Sequence, residues 1–390
     1  MNHRLTTRLP FAFVLLSCLC SLVHGQQDIQ QSLQQYIDQA VEKEMVAGGV
    51  VLVIHRGEQI FSTEFGFENI ESGTQFHAES PFAVASISKP LLGTALYRLV
   101  DAQQLDVDLP VSEYLPEFAD CRLESGEALE RAPTTTELLT HISGIRYDRA
   151  DKGRIWYLSW TQGQSLDAVV SHIASEFPFK AQPGTRYAYS GIGTDVAARV
   201  GEVVSGLARN QLLDEQLASP LGMANTFYAT AQGFAARELA LPTRYYHDKD
   251  TGELRTGRRR VPPQDGHYNA SGGGVVSTAP DLAKWLMMLR AGGKLPDGTS
   301  FLTDENLELM LTPVEGSYNA QGGLFVRRRD EDNNPVKYKH TGSTGTTVWI
   351  DFEHDIIGII LTQTSSSSEF RTGLEQLIEA LLLDLEPADG

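Results

Sequence analysis

A serine and a lysine three residues apart, Ser86 and Lys89, stand in the stretch Phe82–Arg98 (FAVASISKPLLGTALYR), which holds the one Ser-x-x-Lys among 390 residues. In a helical stretch that spacing puts a hydroxyl and an amine on one face. A partly buried amine can lose its charge at neutral pH and take the hydroxyl proton, which would make Ser86 a nucleophile. Such a pair needs a second proton carrier for the leaving group and N–H donors for an oxyanion. Tyr189, in PGTRYAYSGIG after a Pro-Gly turn and just ahead of a helical run, is the candidate carrier. His340-Thr341-Gly342-Ser343 opens a strand whose edge would face the Ser86 helix. There the backbone N–H of Ser343, with that of Ser86, can form an oxyanion hole, and Gly342 would let a substrate approach closely.

Elements able to position these groups follow from periodicity. From Asp28, the residues Ile29, Leu33, Tyr36, Ile37, Ala40 and Val41 form one stripe of a helix. A hairpin follows, with strands 49–55 and 58–66 around an Arg56-Gly57 turn. The Ser86 helix runs to about Ala102, with Pro90 tolerated in its first turn. A short helix over 136–145 is stopped by Gly144, and a further helix covers 195–204. The glycine-rich segment 269–280 leads into a helix over 281–289. Strands 347–352 and 356–363 flank a turn, and a last helix carries Phe370, Leu374, Leu377, Ile378, Leu381 and Leu385 on one face. Hairpins just inside two terminal helices predict an α+β fold, an antiparallel sheet flanked by the N- and C-terminal helices. Residues 26–110 and 271–390 make up the sheet domain, 111–270 a mostly helical insertion, and the cleft between them the site.

The composition is that of an ordinary globular protein, 41% hydrophobic and 21% charged. A net charge of −18 disfavours nucleic acid and anionic membranes as partners and favours solubility; the partner expected is a small-molecule or peptide substrate. Arg4 and Arg8 precede an apolar run from Leu9 to Val23, so residues 1–25 read as a secretory signal and the protein as exported, periplasmic or extracellular. The run is shorter than the ~20 residues a spanning helix needs, so no stable membrane span remains after cleavage. Lipid attachment at Cys18, after Leu15-Leu16-Ser17, is the alternative. Cleavage leaves Cys121 as the single cysteine, unable to form an internal disulfide and without an adjacent base.

Six blocks in order, SISK at 86–89, LLTHISG at 138–144, PGTRYAYS at 183–190, PLGMANT at 220–226, GGGVVSTAPDLAKW at 272–285 and HTGSTGTTVWID at 340–351, resemble the serine β-lactamase and penicillin-binding protein superfamily, and within it the class C β-lactamase-related hydrolases. The resemblance spans nearly all of the chain after residue 25. It implies that Ser86 is acylated, that Lys89 and Tyr189 form its base system, and that His340, Thr341, Gly342 and Ser343 line the substrate-facing strand. Two positions depart from the family pattern. Gly191 stands where a Tyr-x-Asn motif would supply an amide to the lysine, and His340 stands where the penicillin-hydrolysing members carry a lysine. Both turn the expectation away from antibiotic hydrolysis and leave acylation itself untouched.

The remaining residues have plainer readings. His141 is expected to hold its loop beneath the cleft, and Trp349 to be either core packing or a pocket wall. Arg258–Arg260 and Arg327–Arg329 read as solvated loops or hairpin edges. A Gly-x-Ser-x-Gly elbow and a His-Glu-x-x-His motif are both lacking, and Asp330–Asn334 has no calcium-loop glycine, so neither metal nor cofactor is expected. Two functions remain: a secreted serine hydrolase acting on an ester, amide or β-lactam, or a cell-wall-peptide receptor with little or no turnover.

Overall fold

The computed structural model describes residues 12–145, 161, 163–257 and 262–383, with side chains from residue 27 onward. Its strands are β1 (Gly48–His55), β2 (Glu58–Asn69), β3 (Thr74–Gln75), β4 (Phe82–Ala83), β5 (Phe227–Tyr228), β6 (Tyr245–His247), β7 (Leu254–Thr256), β8 (Val275–Ser277), β9 (Phe325–Arg329), β10 (Pro335–Gly342), β11 (Thr346–Asp351) and β12 (Ile356–Thr362). Seven of them form one antiparallel sheet in the order β3-β2-β1-β12-β11-β10-β9, so the N-terminal hairpin pairs with the C-terminal meander through β1 and β12. The β1–β2 turn is made by Arg56 and Gly57, both at positive φ, as tight hairpins require.

Helix α1 (Ala12–Glu42) and the C-terminal helix Ser368–Leu383 cover one face of this sheet. Ile29, Leu33 and Ile37 meet Val51, Val53, Trp349, Ile360, Phe370 and Leu374 there. The expected cleavage boundary after Gly25 falls inside α1; residues 1–11 lie outside the described residues. Among the described residues, no helix is long and apolar enough to cross a membrane. The opposite face presents Val50, Leu52, Val348, Ile350 and Ile359 to the helix Ala279–Arg290, and α2 (Ser88–Asp101) belongs to the same core. Each fully buried aliphatic side chain contributes about 1.5–3 kcal/mol relative to exposure.

Several elements differ from the sequence expectation. The helix over 136–145 spans only Thr135–Leu139, closed at its start by a Thr134–Glu137 capping box and at its end by His141, which turns left-handed at φ 65°. The helix expected from Asp195 starts at Gly191, because the Ser190 hydroxyl accepts from the Gly193 N–H at 3.2 Å and caps it. Strands β8 and β9 were not expected. The first is three residues long, and the second carries the Arg327–Arg329 run on a sheet edge, where charge protects unpaired backbone. Trp349 is packing, fully buried beneath the terminal helices opposite Gly358 of the next strand. Cys121 is a buried free thiol, pushed up to about 11 by burial, then by Asp120 and Glu117. Arg258–Arg260 and Leu385 lie outside the described residues.

Candidate active site

Ser86 sits in one 3-10 turn, Ala85–Ile87, immediately ahead of α2. The preceding residue, Ala85, has φ +47°, a left-handed conformation that costs a non-glycine residue about 1 kcal/mol or more. Neighbouring elements hold the turn in place. The Ser88 hydroxyl donates to the Ala85 carbonyl at 2.6 Å and accepts from the Val275 N–H of β8 at 3.0 Å. From β11, the Thr346 hydroxyl donates to the Val84 carbonyl at 3.1 Å. Gly342 lets β10 into this arrangement, since a Cβ there would lie 2.3 Å from the Val84 carbonyl oxygen and 2.1 Å from Thr346 Oγ1. The glycine therefore makes room for the Ser86 turn; the space at its Cβ is filled by protein and is not open to a substrate.

Lys89 is buried, and its Nζ donates to Ser86 Oγ at 3.2 Å and to the carbonyl of Gly272 at 2.7 Å. The expected pairing of hydroxyl and amine is thus present, with Gly272 as the partner that Gly191 has no side chain to supply. A Cβ at position 272 would stand 2.9 Å from Lys89 Nζ and 3.0 Å from Cε, so glycine there leaves the amine where it is. The Gly272 loop is itself fixed from beneath. Buried Asp195 accepts from the Ser271 N–H at 2.8 Å and from the Tyr268 hydroxyl at 3.0 Å. The Tyr228 hydroxyl donates to the Ser271 carbonyl at 2.9 Å, and Arg209 donates to the Ser271 hydroxyl at 3.1 Å. Sequence reasoning missed this support. The glycine triplet before a helix was a visible signal, but a backbone carbonyl carries no residue signature.

Tyr189 lays its ring over the lysine, with Nζ 4.8 Å from the centroid, a cation–π arrangement. His141 lies against Tyr189 at 4.3 Å, and its Nδ1 accepts from the Ser190 N–H at 3.3 Å. Burial, then the neighbouring Lys89, holds the His141 imidazole well below its usual range. His340 is only 1% exposed, packs on Phe325 at 4.9 Å, and is pushed down to about 3 by burial and then by Lys89. Among the described residues, Nε2 of each histidine lacks a hydrogen-bond partner. Both rings are therefore neutral at ordinary pH. Along the same strand end, Thr341 is half-buried and Ser343 exposed. What this segment offers a solute is thus backbone and the Ser343 side, with the His340 ring behind.

One group of three metal-type ligand side chains occurs among the described residues, Asp351, Glu353 and His354 at the β11–β12 turn. A guanidinium already occupies it, since Arg328 donates at 2.6 Å to Asp351 and contacts His354 Nδ1 at 2.6 Å.

The chain is similar to known proteins over most of its length. A family model described as Beta-lactamase matches residues 33–383. Esterase EstB of Burkholderia gladioli is 30% identical over 291 residues, covering 68% of this chain and 71% of the esterase. Penicillin-binding protein 4 of Amycolatopsis lactamdurans is 28% identical over 315 residues, covering 78% of this chain and 77% of that protein. Among solved structures, EstCE1, a hydrolase with promiscuous acyltransferase activity, superposes with a TM-score of 0.76 at 22% identity over 92% of this chain and 99% of its own, which speaks for the fold. A match of that extent, on a fold with the Ser86–Lys89 pair at the junction of sheet and helices, makes this chain a member of the beta-lactamase-like serine hydrolase family.

Proposed function

We propose that the protein is a serine hydrolase that forms an acyl-enzyme at Ser86 and acts on a carboxylic ester. The observation that carries this is the 3.2 Å contact from Lys89 Nζ to Ser86 Oγ, made by a lysine anchored at 2.7 Å on the Gly272 carbonyl. In the reacting form, with Lys89 as the free amine, Ser86 Oγ attacks the carbonyl carbon and passes its proton to Nζ. With Tyr189, the lysine returns that proton to the departing alkoxide. Backbone N–H groups of Ser86 and Ser343 meet the oxyanion. A water then adds to the acyl-enzyme along the same proton route, releasing the acid and restoring the hydroxyl. The neutral, buried His340 supports an ester over a carboxylate-bearing β-lactam, because it supplies no fixed cation.

A fluorophosphonate probe is expected to label the wild type and not Ser86→Ala; equal labelling would end the acyl-enzyme reading. Ser86-dependent multiple turnover of p-nitrophenyl butyrate is expected, and its absence alongside tight peptide binding would favour the receptor reading. The same proposal includes the division into a sheet unit, 26–110 with 271–390, and an inserted unit, 111–270, supported by a sheet built from the two ends of the chain. It includes export with removal of residues 1–25 as well. N-terminal sequencing of protein recovered outside the cytoplasm should begin near Gln26.

A further inference from the structure

The approach to Ser86 carries more aromatic rings than the proposed acyl transfer itself uses. Tyr318 is 68% exposed and Tyr189 40% exposed. Tyr318 meets Tyr187 edge to face at 4.8 Å, and Tyr187 in turn meets His141 at 6.0 Å. On the other side, Tyr189 stacks with half-buried Phe325 at 6.4 Å and 14°. Because Lys89 lies under Tyr189 and against Ser86, these rings reach from solvent to within one side chain of the hydroxyl. The histidines behind them, His141 and His340, are uncharged.

Ring faces left in water are unfavourable, and ring pairs are attractive at centroid separations of about 4.5–7 Å. We propose that Tyr318 and Tyr189 form a subsite for the aromatic ring of an ester, carried on its acyl or its alcohol side. This rests on the hydrolase reading and names its substrate class. The ring seats against the two exposed tyrosines and directs the scissile carbonyl toward Ser86.

Carbon-matched pairs test it on the full-length protein: 2-phenylethyl acetate against octyl acetate, and ethyl 3-phenylpropanoate against ethyl nonanoate. In at least one pair the aryl ester is expected to have a kcat/KM about tenfold higher, mostly through KM. Tyr318→Ala should remove that preference and leave the alkyl ester within about twofold, whereas Tyr318→Phe should retain it. Equal kcat/KM within both pairs, or a preference that survives Tyr318→Ala, overturns the subsite. Binding to Ser86→Ala separates this from the chemistry, because that variant turns nothing over. Saturation-transfer NMR with 2-phenylethyl acetate should show transfer to the phenyl protons that Tyr318→Ala, added to Ser86→Ala, diminishes. Fluorophosphonate labelling without aryl transfer sinks the subsite alone; aryl transfer without labelling sinks the acyl-enzyme reading alone.

Discussion

Strand β10 shows two ways of burying basic groups, one on each face of the sheet. Toward the C-terminal helix it sends Lys337 and Lys339. Lys337 meets Glu375 at 2.8 Å and pairs with Glu379, and Lys339 pairs with Glu375. Burial alone would lower the Lys337 ammonium, but the hydrogen bonds to Glu375 and Glu379 carry it above its usual value. Toward α2 the same strand sends His340, which is buried with no acid beside it and gives up its proton. Across from it, Lys89 has a carbonyl and a hydroxyl for partners where Lys337 has two carboxylates. A carboxylate next to a lysine fixes the positive charge and makes the group structural. The paired face serves stability, and the other face carries the lysine to which the proposed mechanism assigns the Ser86 proton.

That contrast can be broken at four places. Gly272→Ala should displace Lys89 from Ser86 and lower kcat about 100-fold, because its Cβ intrudes 2.9 Å from Nζ. Steady-state kinetics with a circular-dichroism check of folding reads this, and unchanged kcat would mean the Gly272 carbonyl does not position the amine. Glu375→Gln works on the other face, leaving Lys339 without its acid and Lys337 with Glu379 alone. It should cost about 3 kcal/mol in urea unfolding while kcat at 25 °C is preserved. A kcat loss with intact stability would invert the comparison.

The third place is His340, which is neutral in the folded protein down to about pH 3, against 6.5 in the unfolded chain. Between those values the unfolded chain binds a proton that the native state refuses. Stability present above pH 6.5 is therefore lost as pH falls, at about 1.4 kcal/mol per pH unit. His340→Gln should make the unfolding free energy between pH 6 and 4 shallower by that slope, and an unaltered slope would show the imidazole to be charged or solvated. Ala85→Gly should have the smallest effect, relieving the left-handed backbone before Ser86 and raising stability by at most about 1 kcal/mol. Calorimetry measures it, and a lowered Tm would mean that the turn is not strained.

Much of the fold was legible because its signals are local. The terminal helices announced themselves by apolar stripes such as Ile29, Leu33 and Ile37, and the β1–β2 hairpin by an apolar run and an Arg-Gly turn. Strand β9 was not legible, since a charged edge strand looks like a solvated loop when its neighbour is unknown. Trp349 was undecided for a related reason. Alternation separates it from Val348 but does not say which face meets the terminal helices and which meets α2. Ser86, Lys89 and Tyr189, singled out by residue type and spacing, lie together in the structure. Gly272 and the buried state of His340 were not legible, because a carbonyl is common to all residues and desolvation depends on what packs around a ring.

The amino-acid sequence by itself determined that a serine and a lysine stand three residues apart at the head of a helix, and that hairpins at both ends of the chain can join into a sheet. Those are consequences of helix and strand periods, which act over a few residues. Tertiary structure alone decided what Lys89 holds on to, a carbonyl 183 positions away, and what Gly342 makes room for, the Ser86 turn itself. It also decided that His340 is uncharged. Each of these depends on segments remote in the chain meeting at ångström range, where desolvation and steric exclusion are set by the assembled neighbours and not by the residue's own identity.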